Sequence, residues 1–435
     1  MTEGEGAARR VHVCGNFDIF NYGDVLFPLV ARHRLAPAGY EVVPVAPTAR
    51  RSWPDSLPAL SLQDLFAGAP GAGILVGGGH IISDMPVTDF FGISDVKDDP
   101  GGTWAQTYFS GLWLGATLQA CVTGVPIAWN APGVMRPFIR SEIRALALAA
   151  MNVAERVAVR DAESQRLLGP QAEGRACVSP DTVLDISALW PREGLAKDFA
   201  GLVSRAGFDP GQRFLAIQVR RLLKMEAFPD IAAQISAHAR ASGLVPILVA
   251  IGPGLRDDEA ARHTAAYLDC PHILLDAPAS LREITAALAF SSAFVGQSLH
   301  GCIVASAYDV PALVVAERPA RRLAGFLTYR GTPELLFEGW SQAFEALGTL
   351  PSRMPVPVTM RTEVDRHWAD IIAMLHQPQD RSAAQLAFLL LYARLGMRGL
   401  GPEWSLRPFR PSAYGERESA LKRGPRRPER TAQGE

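Results

Sequence analysis

The sequence lacks the features that would place it in a membrane or send it across one. No stretch reaches the unbroken apolar length of about 18 residues that a membrane-spanning helix requires. The nearest approach, Gly111–Asn130, is interrupted by Gly, Gln, Thr and Pro. The first residues, MTEGEGAARR, are acidic at their start and contain no apolar core of a signal peptide. These absences predict a protein that works in the cytoplasm.

Cysteine is scarce, and the cysteines are scattered along the chain. There are five, all set among apolar residues and none in a C-x-x-C pair: Cys14, Cys121, Cys177, Cys270 and Cys302. This pattern excludes a disulfide framework and the common zinc-site spacings. We therefore expect buried, reduced thiols and no metal site.

An excess of charge of either sign is also missing. The formal net charge is −1, from 43 Lys and Arg against 44 Asp and Glu, which argues against a nucleic-acid partner. With 48% apolar and 20% charged residues, the chain has an ordinary globular composition. Its 435 residues correspond to two or three domains.

Strand-like apolar runs alternate with amphipathic helical patterns along most of the chain. A charged, glycine-containing break at Pro191–Gly201 divides the alternation into two halves. Such alternation predicts an α/β fold with two doubly wound, Rossmann-like domains that face one another across a cleft. We assign residues 11–190 to the first domain, 200–350 to the second, 361–398 to C-terminal helices that pack back across both, and 399–435 to a tail.

The tail is rich in Arg, Pro and Gly, as in LKRGPRRPER. Because it contains little apolar surface to bury, we expect it to be disordered. A solvated tail is the simplest interpretation. A peripheral contact with an anionic membrane surface is the alternative.

Two candidate loops lie in the first half. Gly15–Asp24, GNFDIFNYGD, joins a strand to a helix, and it offers Asn16, Asn21 and Asp24 near a helix N-terminus that favours negative charge. It contains no G-x-G-x-x-G fingerprint. The second loop follows a buried strand with Gly77, Gly78 and Gly79 and continues through His80 to Asp84. Consecutive glycine N–H groups suit a phosphate, a carboxylate or a sugar hydroxyl. Turn stabilisation, helix capping and close packing are the structural alternatives for both loops.

Two more candidate loops lie in the second half. Arg220 leaves a strand, where a guanidinium can hold a carboxylate or phosphate in bidentate fashion, and Lys224 follows in the same turn. The strand AFVG is followed by Gln297 and Ser298, and His300 lies at the start of the next helix. A histidine near a helix N-terminus can bind an anion or donate a proton. A lone histidine is more often structural, but the cluster of Gly, Ser and His favours function.

With these loops, the chain resembles the polysaccharide pyruvyl transferase family. The resemblance covers about Val11–Ala316. It rests on GNFDIFNYGD, the strand with Gly77–Gly79, VAVRDAES at Val157–Ser164, SPDTVLD at Ser179–Asp185, and SLHGCIVASAYDVPALVV from Ser298. Each piece is weakly specific alone, whereas all five in this order are not a chance arrangement.

The resemblance implies a GT-B-like enzyme that transfers a pyruvyl group from phosphoenolpyruvate to sugar hydroxyls of a polysaccharide or its lipid-linked precursor. It implies no cofactor, an acceptor side in the first domain and a donor side in the second. His300 would be the general acid, with Asp24 or Asp84 as base. Arg220, Gln297, Ser298 and Lys224 would lie on the donor side. One common family version has Arg where this chain has Ser298, so another residue, such as Arg220, would have to supply that charge.

Two other functions remain open at this stage. A GT-B glycosyltransferase that uses a nucleotide-sugar would share the architecture and the cleft. A sugar- or phosphate-binding relative without catalysis is the second alternative, because Ser298 replaces the arginine.

Overall fold

Two parallel β-sheets, one in each half of the chain, organise the fold. The computed structural model describes residues 9–85, 109–220, 225–316 and 320–401. The first sheet contains seven strands: β1 (Arg9–Cys14), β2 (Tyr40–Ala46), β3 (Leu60–Ser61), β4 (Gly73–Val76), β5 (Ile127–Trp129), β6 (Arg156–Val159) and β7 (Ala176–Val178). The second contains six: β8 (Phe214–Gln218), β9 (Val245–Val249), β10 (Ile273–Leu275), β11 (Ala293–Gly296), β12 (Ala312–Val315) and β13 (Leu336–Phe337). The predicted α/β fold with two Rossmann-like halves is confirmed.

Both sheets have the same doubly wound strand order. The first runs β3-β2-β1-β4-β5-β6-β7 and the second β10-β9-β8-β11-β12-β13. Every strand pair is parallel, with Val13 opposite Leu75 in the first sheet and Ala216 opposite Phe294 in the second. The strand order reverses between β1 and β4, and again between β8 and β11. Ligands of such sheets bind beyond the strand carboxyl ends at this reversal point.

Helices cover both faces of each sheet, which explains why the central strands are continuous apolar runs rather than alternating ones. Strands β4, β8, β9, β11 and β12 are buried along their whole length. The helices of the first half are α1 (Tyr22–Leu35), α2 (Leu62–Ala67), α3 (Ala116–Thr123), α4 (Ser141–Val153), α5 (Ala162–Leu167) and α6 (Ile186–Leu189). The second half contributes α7 (Ala196–Arg205), α8 (Ala227–Ser242), α9 (Asp257–Ala265), α10 (Leu281–Phe290), α11 (Leu299–Ala307), α12 (Arg321–Arg330) and α13 (Trp340–Leu347).

The two halves are joined by specific contacts as well as by a shared core. Tyr22 donates its backbone N–H to the carbonyl of Ile251 at 3.0 Å, and its hydroxyl lies 2.7 Å from Thr285 Oγ1. Asp55 of the first half accepts the backbone N–H groups of Leu281 and Arg282, and so caps α10 of the second half. Because these bonds originate from the start of α1 and from the loop after β2, they hold the two sheet edges against each other.

Helix α14 (Val358–His376) returns the chain to the first half after the second sheet is complete. Its Arg361 donates to the carbonyl of Ala307 in α11, whereas His367 lies 2.9 Å from Asn130 Oδ1, beyond β5. Burial and the neighbouring Arg156 lower the pKa of His367 to about 3, so the ring is neutral. Its Nδ1 then accepts from Arg156 Nε, and its Nε2–H donates to Asn130.

Helix α15 (Ser382–Leu400) follows and packs on α4 and α3. In the described part of the chain, no helix has the length and apolarity needed to cross a bilayer. Four cysteines are buried as free thiols, but Cys177 is exposed, which corrects the expectation for that residue because its position in β7 is on an open edge strand. The predicted tail lies outside the described residues from 402 onward.

Candidate active site

The four loops selected from the sequence follow β1, β4, β8 and β11, the strands that flank the reversal points of the two sheets. The loop after β1 enters the interface between the halves. Its Phe20 accepts the backbone N–H of Gly254, from the loop after β9, at 2.9 Å. The carboxyl edges of both sheets therefore meet, and the side chains of these loops are brought together there.

Helix α1 and helix α11 touch at Gly23 and His300. A Cβ placed on Gly23 would lie 1.8 Å from His300 Nδ1, so only glycine allows the imidazole this close to α1. The His300 side chain is buried, and its ring meets Phe27 edge-on at a centroid distance of 5.6 Å. The first turn of α1 thus forms one wall around His300.

The glycine run after β4 forms a second wall. A Cβ at Gly78 would fall 2.0 Å from the Phe27 ring, and a Cβ at Gly79 would fall 2.5 Å from Asp24 Oδ1. Gly77 and Gly79 also have positive φ angles, of 109° and 77°. Close packing against α1 is therefore one physical reason for these glycines. Their predicted role as ligand-binding amides stays a prediction.

Asp24 lies in the first turn of α1 and is almost completely buried. Asn21 Nδ2 donates to its Oδ2 at 2.7 Å, which gives Asn21 a positioning role. Burial raises the pKa of Asp24 to about 6; the charges of His300 and Arg160 and the Asn21 hydrogen bond lower it, while Asp181 raises it. A carboxyl group with a pKa near neutrality can exchange a proton during a reaction.

Asp181 and Arg160 complete this cluster on the side of the first domain. His300 Nε2 lies 3.6 Å from Asp181 Oδ2, and Arg160 Nη1 lies 3.6 Å from the same oxygen. Burial alone would raise the pKa of Asp181, but His300, Arg160 and the backbone N–H of Val183 together lower it. Asp181 is therefore ionised at neutral pH, whereas Asp24 has a pKa of about 6. Two carboxyl groups with different pKa values suit different chemical roles.

Buried polar atoms without a hydrogen-bond partner converge in this cluster. Among the described residues they include His300 Nε2, Asp181 Oδ2, and Nε and Nη2 of Arg160. Buried polar atoms in folded proteins are normally paired, so unpaired ones at a single place need an explanation. A bound polar ligand would supply these partners.

Arginines from three elements approach the cluster. Arg160 follows β6, Arg220 follows β8, and Arg322 is in the first turn of α12. The pKa of Arg322 is lowered to about 10 by burial and by the charges of Arg160 and Arg220, against the opposing charges of Asp24 and Asp161. Gly325, one turn later on the same face of α12, packs on Asp161. A Cβ placed on Gly325 would lie 3.2 Å from the Cβ of Asp161. Partly buried like charges that repel one another are typical of a site for an anion.

The remaining donor-side predictions have structural partners. Gln297 accepts the backbone N–H of Arg220 at 2.9 Å and so ties the ends of β8 and β11 together. Ser298 caps α11 by accepting the N–H of Gly301 at 3.1 Å. Lys224 lies outside the described residues. Direct donor contacts by these three residues stay predictions.

On the acceptor side, His80 belongs to the cluster and Asp84 does not contact it directly. The pKa of His80 is held well below its usual range by burial and by the charges of Arg160 and Arg322, and its Nε2–H donates to the carbonyl of Val134 at 2.8 Å. Asp84 instead pairs with Arg136 at 3.0 Å. Asp24, unlike Asp84, therefore lies beside His300, and the role of either carboxyl as the base stays a prediction. Asn16 is buried, and its Oδ1 has no hydrogen-bond partner among the described residues.

Reasoning from single loops missed Asp181, Arg160 and Arg322. The first two lie in segments that had been noted only as parts of a resemblance, SPDTVLD and VAVRDAES. The available signal was their position, because each follows the carboxyl end of a strand, β7 or β6. Arg322 had no such signal, since its helix begins well after β12.

A family model described as polysaccharide pyruvyl transferase matches residues 21–319. The chain belongs to this family. The matched range contains Asp24, Arg160, Asp181, Arg220 and His300. Most of the cluster of this pyruvyl transferase family member therefore lies within the residues that the family model matches. The family assignment makes the chain an enzyme. No curated protein matches the chain.

Several solved structures that are similar to this chain are described as UDP-GlcNAc 2-epimerases. The UDP-GlcNAc 2-epimerase from Methanocaldococcus jannaschii is 11% identical, with a TM-score of 0.53, and the match covers 84% of this chain and 99% of that one. The same enzyme in complex with UDP-GlcNAc and UDP gives a TM-score of 0.50 at 10% identity, with the same coverage. The epimerase from Neisseria meningitidis bound to UDP-GlcNAc is 13% identical, with a TM-score of 0.47, and covers 88% and 99%. At this identity, the likeness to the Methanocaldococcus enzyme shows a common two-domain GT-B-like fold.

Proposed function

We propose that this protein transfers a pyruvyl group from phosphoenolpyruvate to two hydroxyls of a sugar in a polysaccharide or its lipid-linked precursor. The product would be a cyclic pyruvate ketal. The observation that carries the proposal is the buried cluster of His300, Asp181, Asp24 and Arg160 at the meeting point of the two sheet edges. It combines a proton donor, two carboxyls with separated pKa values and a concentration of positive charge.

The donor requires cations because phosphoenolpyruvate carries a carboxylate and a phosphate on one small carbon skeleton. Arg160, Arg220 and Arg322 would bind these two groups, since a guanidinium matches either of them in bidentate geometry. Arg322 would supply the positive charge that Ser298 does not provide. Binding of the anion would also relieve the mutual repulsion of the three arginines.

The reaction needs a proton at the donor's methylene carbon. His300 would deliver it, forming an oxocarbenium-like carbon next to the carboxylate, and the neighbouring Asp181 would orient the imidazole ring. A sugar hydroxyl then attacks that carbon and gives its proton to Asp24. Phosphate leaves with the bridging oxygen, and the neighbouring hydroxyl closes the ketal and gives its proton to His300, which the first step left neutral. No cofactor takes part, and the donor makes the cytoplasm the place of reaction.

Incubation with phosphoenolpyruvate and a sugar acceptor tests the proposal. We expect inorganic phosphate to be released in step with an acceptor mass increase equal to pyruvic acid minus water. UDP-GlcNAc as the only donor should yield neither phosphate nor a modified acceptor. Glycosyl transfer from UDP-GlcNAc would instead establish the glycosyltransferase alternative.

The variant His300→Gln should remain folded and lose at least about a hundredfold in transfer rate, the size of effect typical of a lost general acid. His376→Gln, a change at an exposed histidine at the end of α14, is the matched control and should be fully active. Binding of phosphoenolpyruvate without any transfer, in the wild type as well, would favour a non-catalytic binding protein.

A further inference from the structure

Helix α15 exposes large apolar side chains on the side that faces away from the protein. Leu386 is 58% exposed, Leu390 62% and Met397 49%, and their spacing places them along one side of the helix. The opposite side packs into the first domain through the fully buried Phe388. A helix that is apolar on both its buried and its outer side exposes apolar surface that a binding partner can cover.

Positive charge is interleaved with these apolar residues. The segment Ser382–Leu400 contains Arg394 and Arg398 but no Asp or Glu. Arg394 is exposed and lies between Leu390 and Met397 on the helix. Residues 402–435, which follow the helix, contain eight Lys or Arg against five Glu. This combination of exposed apolar and positively charged side chains complements an anionic surface with an apolar layer beneath it.

The residues just before α4 extend this surface. Ile139 is 78% exposed, and the backbone carbonyl of Ile139 accepts from Arg144 Nη2. The pKa of Glu142 is lowered by hydrogen bonds from its own N–H and from Ser141, and by the charges of Arg398 and Arg140. Because α15 and α4 pack on each other and the charge of Arg398 acts on Glu142, the end of α15 lies beside the start of α4. We define the α15 face as Leu386, Leu390, Arg394 and Met397 together with Ile139 and Arg140; Glu142 is the acidic residue beside it.

The α15 face runs along the flank of the first domain. Its start lies beside Asn152 at the end of α4, whereas Arg398 near its end lies by the start of α4, on the side of the candidate active site. The loop after β5 runs from Asn130 to Arg140. At Val134 it accepts the hydrogen bond from His80, and five residues later it exposes Ile139. A surface that docked on the α15 face would therefore cover the flank of the first domain, with the Met397 end of the face nearest the acceptor side of the cleft.

We propose that the α15 face docks on an anionic lipid bilayer, with Leu386, Leu390, Met397 and Ile139 in the headgroup–acyl boundary and the arginines on lipid phosphates. Interfacial helices combine these same residue types, and basic side chains near the surface strengthen their binding to anionic lipids. Docking would keep the enzyme at the surface that carries a lipid-linked acceptor. This last consequence rests on the proposed function, whereas the docking itself does not.

Sedimentation of the full chain with vesicles tests the docking. Vesicles containing phosphatidylglycerol should bind the wild type, and pure phosphatidylcholine vesicles should bind it much more weakly. The double variant Leu386→Asp/Leu390→Asp should lose about tenfold or more in affinity, because two apolar anchors are replaced by charges that an anionic surface repels. Val358→Asp is the matched control, since Val358 is 78% exposed at the start of α14, and it should bind like the wild type.

Three results would overturn the proposal. The first is that the double variant binds phosphatidylglycerol vesicles as tightly as the wild type. The second is that a full chain carrying Arg423→Gln, Arg426→Gln and Arg427→Gln loses all binding while the α15 variant keeps it, which would make the tail the docking element. Finally, a wild-type dimer that the double variant converts to monomer would show that a second copy covers the face. Because vesicle binding needs no phosphoenolpyruvate, failure of docking is distinguishable from failure of the proposed transfer.

Discussion

At the scale of single residues, Asp24 couples stability to reactivity. Its pKa of about 6, against an ordinary value of 3.8, means that the folded protein holds the protonated form more tightly than the unfolded chain does. Stability therefore falls as pH rises from about 4 to about 6, by about 3 kcal/mol for this group. The folded protein is therefore less stable when Asp24 is ionised, and the ionised form is the one that the proposed base role requires.

The variant Asp24→Asn tests this coupling. Urea unfolding at pH 4 and pH 7 should show a smaller loss of stability between the two pH values in Asp24→Asn than in the wild type. The wild-type transfer rate should decline as pH falls through about 6. A wild-type rate that is flat from pH 5 to 7 would rule out Asp24 as the base.

Arg322 offers a second test at this scale, with a neighbour as control. Arg322→Gln should raise the KM for phosphoenolpyruvate about tenfold or more, because a charge-assisted hydrogen bond to an anion contributes about 1.5–3 kcal/mol. Arg321 is adjacent but exposed, and it pairs with Glu163 on the surface. Surface pairs contribute little, so Arg321→Gln should leave the KM unchanged. Equal KM values for both variants would show that Arg322 does not bind phosphoenolpyruvate.

At the scale of elements, the contact between α1 and α11 depends on the absence of a side chain. Gly23→Ala would place a methyl group in the His300 ring, and the displaced imidazole would lose its position near Asp181. We expect a stability loss of about 1–3 kcal/mol and a strong fall in transfer rate. Gly194→Ala is the control, because a Cβ there meets nothing within 4 Å. Full activity of folded Gly23→Ala protein would show that the position of His300 is not critical.

At the scale of the whole molecule, the site requires the two halves to keep their relative position. Asp55→Ala removes the cap that the first half provides for α10, with an expected cost of about 1–2 kcal/mol. Asp64→Ala removes the acidic partner of the capping box at the start of α2, whose N-cap is Ser61, within one half. Both variants should unfold at lower urea concentration, whereas only Asp55→Ala should also reduce transfer. Equal activity of the two would mean that other contacts are enough to align the halves.

The sequence by itself determined the two doubly wound halves and the four loops at the strand ends. Apolar runs buried between helices, and glycines directly after them, are local signals that require no knowledge of tertiary packing. His300 and Asp24 could be selected for the same reason, because each begins a helix after one of these loops. Their chemical roles are still predictions.

Only the tertiary structure decided which side chains meet. Asp24 and Asp84 were equivalent candidates in the sequence, and the packing of α1 against α11 places Asp24 at His300, while Asp84 pairs with Arg136. Asp181, Arg160 and Arg322 come together from segments far apart in the chain. The physical reason is that strand and helix patterns set the geometry within a half, whereas the contacts between the halves depend on the complementarity of two complete surfaces.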